Sequence, residues 1–109
     1  MTRYLISLDD HAMDQLPAGE LPDVAKTSHA VAQEAKDAGV FVFAGALDED
    51  VDPVLVAADG TVTAATYPLG GMTIIDVPSR EEALKWAAKF AVGCRCSQEL
   101  SAFQVDPLA

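Results

Sequence analysis

The chain has 109 residues, half of them apolar, and carries 17 acidic against 7 basic side chains for a formal net charge of −10. That length suits a single core, and no stretch reaches the run of about 18 apolar residues that reads as a membrane span. A net charge this negative repels nucleic acid and anionic membrane, so neither is expected as a partner, and acids scattered over loops and helix faces read as a solvated surface.

The N-terminus, MTRYLI, runs straight into a strand pattern without the basic and long apolar regions of a signal peptide, so a cytoplasmic location is expected. Residues 2–8 form the first strand, ending at Asp9-Asp10. The segment to Pro22 is irregular, broken by Pro17, Gly19 and Pro22. Asp23 is then placed to cap a helix over residues 24–38, in which Val24, Val31, Ala35 and Ala38 recur at helical spacing and Gly39 is the stop. Residues 40–47 are strong strand formers, with Phe41 and Phe43 expected on one face and Val42 and Ala44 on the other. Residues 54–57 and 61–65 make a hairpin through Asp59-Gly60, a pair that supplies the positive φ of a tight turn. After Gly70-Gly71, residues 72–77 (MTIIDV) read as a strand that Pro78 ends. Ser79 and Glu82 match a capping box for a second helix. Its core stripe is expected at Leu84, Ala87, Ala88 and Ala91, with a second apolar band at Ala83, Trp86 and Phe90. Residues 100–105 form a last strand before Pro107.

The order strand, helix, strand, hairpin, strand, helix, strand predicts an α+β fold over residues 1–109: a ferredoxin-like split β-α-β sandwich with an inserted hairpin. The strands at 40–47 and 72–77 are apolar on both faces, whereas an antiparallel sheet covered on one side alternates. A homodimer with the sheets packed face to face is therefore the expected partner arrangement.

Ala38-Gly39-Val40 after the first helix, Gly70-Gly71 before the third main strand, Ile75-Asp76, and Glu82-Ala83-Leu84-x-Trp86-Ala87 resemble the YCII-related (DGPF) family over most of the chain. The resemblance implies a ferredoxin-like domain forming a dimeric α+β barrel. It also implies a helical histidine eleven residues before Gly39, assisted by an aspartate, as the group for acid–base chemistry. At that position stands Ser28, and the histidine is its neighbour His29. A helical wheel turns His29 about 100° from the Val24, Val31 and Ala35 stripe, beside Ala25, Ala32 and Lys36, so bringing it to a cleft calls for a local shift in the helix. The family's Asp-Gly-Pro-Phe signature is missing, Asp59-Gly60 being followed by Thr61 and Val62.

The candidate catalytic residues are His29, Ser28, His11 and Asp9. Histidine alone has an unperturbed pKa near neutrality, and His11 stands among Asp9, Asp10 and Asp14, where a histidine–carboxylate pair can form if the segment folds over a cleft. Tyr67 and Met72 are the candidate substrate contacts. Cys94-Arg95-Cys96 does not match a zinc spacing; the cysteines read as structural thiols, with Arg95 the one group able to lower a thiol pKa. The acidic run Asp48-Glu49-Asp50-Val51-Asp52 lacks the glycine and the glutamate of a calcium loop. No metal or cofactor is expected. The function expected is that of a cofactor-independent acid–base enzyme acting on a small, cyclic or hydroxylated metabolite in a cleft. The alternative is a non-catalytic small-molecule-binding or accessory homodimer that has lost the helical histidine.

Overall fold

The computed structural model describes residues 1–66 and 68–108. Six strands and two helices follow in the order β1 (Thr2–Asp9), α1 (Leu21–Asp37), β2 (Phe41–Ala46), β3 (Val54–Val56), β4 (Val62–Ala64), β5 (Leu69–Val77), α2 (Arg80–Cys94) and β6 (Glu99–Ala102), with a 3-10 turn at Ala18–Glu20 leading into α1. Four strands make one sheet in the order β2-β5-β1-β6, every neighbouring pair antiparallel, and β3 and β4 make a separate two-stranded ribbon. The expected closure into a dimeric α+β barrel of the ferredoxin-like type is corrected. The four-stranded sheet is open, its edges β2 and β6 lie on opposite sides of β5 and β1, and the ribbon closes neither.

Both helices contribute to one core with one face of the sheet: Tyr4, Ile6, Ile75 and Val77 meet Ala83, Ala87 and Phe90, with Val31, Trp86 and Leu100 at its margin. On α2 the buried positions are Ala83, Ala87, Phe90, Gly93 and Cys94, a stripe at successive three- and four-residue steps. The stripe expected at Leu84, Ala88 and Ala91 is therefore displaced; Leu84 is 48 % exposed, because Phe90 carries far more apolar area than any alanine and decides which way the helix rolls. Gly93 lets the helices approach: a Cβ there would stand 3.0 Å from the Thr27 carbonyl oxygen and from Val31 Cγ2. Ser79 Oγ accepts the Glu82 N–H at 3.2 Å, which is the Ser79 half of the expected capping box.

Helix α1 begins at Leu21, not at an Asp23 cap, and Pro22 sits in its first turn, where a missing N–H costs nothing. Gly39, at φ 76°, ends it as the sequence suggests. In β2 the register slips between Phe41 and Phe43: Phe41 pairs with Ile75, Phe43 with Ile74 and Ala44 with Thr73. This bulge at Val42 overturns the expected alternation, placing Phe41 and Ala44 on the helix side and Phe43 on the far side. The far face carries Phe43, Ile74 and Leu5 in one cross-strand row. No helix among the described residues is long and apolar enough to cross a membrane.

Candidate functional site

Between the sheet and α1 lies a cavity of about 610 Å³. It exists because α1 leans on α2 and stands off the β2 side of the sheet. Ser28, His29, Ala32 and Lys36 line it from α1, Phe41 and Ala44 from β2, and Phe90 and Cys94 from α2. Lys36 Nζ sits 5.0 Å from the centre of the Phe41 ring, a cation–π contact that ties the helix to the strand at the cavity wall.

Both neighbours, Ser28 and His29, border this cavity, and they do so without a break in the helix, which runs continuously over Leu21–Asp37. The anticipated bulge or rotated start is not needed, because the cavity opens toward the flank of Ala32 and Lys36. Ser28 is half-buried, and its hydroxyl donates to the Ala25 carbonyl at 3.1 Å. The His29 side chain is exposed. Met72 borders the cavity where β5 passes it, but the register sets its side chain on the far face with Ile74, so it is not the substrate contact expected; Tyr67 lies outside the described residues.

A second cleft of about 520 Å³ adjoins the first. The two share Asp10, Leu47, Glu49 and Gly70, and the second is completed by His11, Asp14, Val51, Pro53, Ala65, Thr66 and Leu69. Gly70 makes the junction possible. A Cβ on it would fall 2.9 Å from both Asp10 Cα and the Asp9 carbonyl oxygen, so only glycine lets the end of β1 cross so closely, and the Asp10 N–H donates to the Pro68 carbonyl at 2.7 Å.

From that crossing the chain winds through a run of turns, Ala12 N–H to Asp9 O, Asp14 N–H to His11 O and Leu16 N–H to Met13 O, that sets His11 in place. The segment read as irregular is thus locally ordered. Asp9 Oδ1 accepts the His11 backbone N–H at 2.9 Å, so Asp9 holds the main chain and not the imidazole. The imidazole partner is Asp14, with 2.8 Å between Nδ1 and Oδ2, and Asp10 Oδ1 lies 3.6 Å from Nε2. A carboxylate only accepts, so Nδ1 is the protonated nitrogen and Nε2 of the neutral ring is left as the base. The hydrogen bond to Asp14, then the charges of Asp10 and Asp14, raise the His11 pKa above its ordinary 6.5.

The cysteines take no such part. Burial, reinforced by Cys96, pushes the Cys94 thiol up to about 11, and burial also raises Cys96. Arg95, the one group able to lower a thiol pKa, is the helix-ending residue at φ 57° and pairs with Glu20 at 3.3 Å. Among the described residues no group of three or more His, Cys, Asp or Glu side chains is placed to hold a metal ion. Sequence reasoning missed Glu49 and Gly70, which join the two clefts. Gly70 was legible as a turn signal and as part of the family resemblance, and Glu49 only as one acid of a solvated run.

No family model matches the chain and no curated protein matches it. The YCII-related (DGPF) assignment is corrected accordingly: Gly39 is accounted for as a helix stop, Gly70 as a close backbone crossing, and Ala83 and Ala87 as the core face of α2, all of which are requirements of this packing and none of which carries chemistry.

Proposed function

We propose that the protein is a cofactor-independent acid–base enzyme for a small hydroxylated or cyclic metabolite, with His11 as the proton-transfer group. The observation that carries this reading is the His11–Asp14 pair on the wall of a cleft that runs into the larger cavity. Asp14 fixes the tautomer, leaves Nε2 to take a proton, and stabilises the imidazolium that results. Asp10 and Glu49 at the junction disfavour an anionic substrate, so a neutral or cationic molecule fits best, its apolar body against Phe41 and Ala44. His29, on the far wall of the larger cavity, is the second candidate for the proton.

One observation favours binding without catalysis as the second reading: the His11 side chain is 76 % exposed, so its cleft does not by itself exclude water. In both readings the protein works as a homodimer in the cytoplasm. The uncovered face at Leu5, Ile74 and Phe43 is apolar, and a second copy laid against it, sheet to sheet, removes that area from water.

The two readings part in deuterated water. An acid–base enzyme exchanges an acidic hydrogen of its substrate with solvent, so a panel of small hydroxy and keto compounds incubated with the protein in D2O loses proton signal for at least one member. His11→Gln lowers that exchange by roughly 10² to 10⁴, the usual share of a positioned acid or base. Wild-type exchange in a variant with both His11→Gln and His29→Gln would exclude the mechanism.

A further inference from the structure

The ribbon of β3 and β4 has side chains that water does not explain. Its register sets Val54 opposite Ala64 and Val56 opposite Val62, so one face is wholly apolar, and Leu55 lies opposite Thr63 on the other. Val54, Leu55, Val56 and Val62 are all between 57 and 62 % exposed. From residue 53 to residue 65 the only charge is Asp59, in the turn at the tip. A lone two-stranded ribbon is marginal in water unless a further surface covers its apolar face.

The molecule as a whole is a slab of 44 × 43 × 18 Å. Its radius of gyration is 15.4 Å, against about 13 Å for a compact chain of this length.

We propose that the β3–β4 ribbon is an arm that packs its Val54, Val56 and Val62 face against a second copy of this chain. The proposal rests on the self-association described above and adds the element that clasps it. A second copy is the occupant for three reasons. The net charge of −10 and the absence of lysine or arginine from residues 53–65 disfavour an anionic membrane. The same chain displays further uncovered apolar side chains, Phe43 at 54 % and Phe103 at 44 % exposure, so a two-fold contact can be built from one set of residues used twice. The exposed parts of Val54, Val56, Val62, Phe43 and Phe103 amount to roughly 500 Å², about the roughly 500 Å² of apolar surface that each partner brings to a standard homodimer interface.

The arm also bears on the site. Val51, Pro53, Ala65 and Thr66 at its base are the outer wall of the cleft that holds His11. A second copy that fixes the arm thereby fixes that wall.

Light scattering on the full chain at micromolar concentration tests the arm. The wild type runs at twice its 11.5 kDa mass, and a variant with Val56→Glu and Val62→Glu runs as a monomer with its far-ultraviolet circular dichroism retained. Should the glutamates unfold the chain, the milder pair Val56→Thr and Val62→Thr keeps strand propensity and decides the matter, the dissociation constant rising tenfold or more. A dimer unaffected by the threonine or glutamate pair but broken by Phe43→Glu overturns the arm and leaves the sheet-face dimer standing. A wild-type monomer at 100 μM, the concentration chosen as the ceiling, overturns both. Sedimentation with neutral phosphatidylcholine vesicles that depended on the arm valines would replace the second copy by a lipid surface and overturn the proposal.

Discussion

At His11 a single turn of chain does the positioning: residues three apart meet across it, and Asp14 reaches the imidazole while Asp9, two residues back, caps the backbone. The consequence is measurable. His11 titrates above 6.5 in an NMR pH series, and Asp14→Asn, which removes the largest cause of the shift, returns it toward the ordinary value. Because the folded pKa is raised, the favourable contact of His11 with Asp14 is fully present below 6.5 and fades as pH rises through the folded value. The neutral base appears over the same interval, so exchange catalysed by His11 rises with pH across a midpoint above 6.5, and a midpoint at or below 6.5 contradicts the pairing. The sequence shows that a histidine stands among acids. It does not show which acid bonds the ring, because that depends on the turns between them. Ser28 and His29 pose the same problem: the wheel orders the two correctly around α1, but which flank faces a cavity depends on how far the helix stands from β2.

The elements divide in the same way. Where local chemistry decides, sequence and structure agree: Gly39 stops α1 and Ser79 caps α2; the ribbon does turn at Gly60, φ 89°, but over the three residues 58–60, because Asp59 does not take the positive φ that the expected tight Asp-Gly turn needs. Where the neighbour decides, they part. Helix α2 offers two apolar bands, and only the presence of the sheet and α1 selects Ala83, Ala87 and Phe90 over Leu84 and Ala88. Urea unfolding separates the two faces, since Phe90→Ala leaves a cavity and costs about 3–5 kcal/mol, whereas Leu84→Ala at a solvent-facing position stays within about 0.5 kcal/mol. Equal losses at the two positions would return the core to the other band. The bulge at Val42 is likewise invisible in a run of strand formers, since it is a property of the pairing with β5 and not of β2 alone.

For the whole molecule, the open sheet matters more than its strand order. Two helices cover one face, the other face and the β3–β4 ribbon display apolar side chains, and the cavities collect where α1 lifts from β2 and where β1 crosses Gly70. The class of fold and its element order follow from periodicity and turn residues. The openness of the sheet and the junction of the two clefts do not, because both arise from contacts between distant segments. The reading proposed above has a small neutral or cationic molecule enter the junction at Gly70, with His11 on its wall. Amide NMR of the labelled protein, titrated with a panel of hydroxylated and cyclic compounds, tests it most directly. Binders are expected to shift Asp10, His11, Glu49 and Gly70 together with Ser28 and His29; shifts that map only to other surfaces would rule the junction out as the binding site.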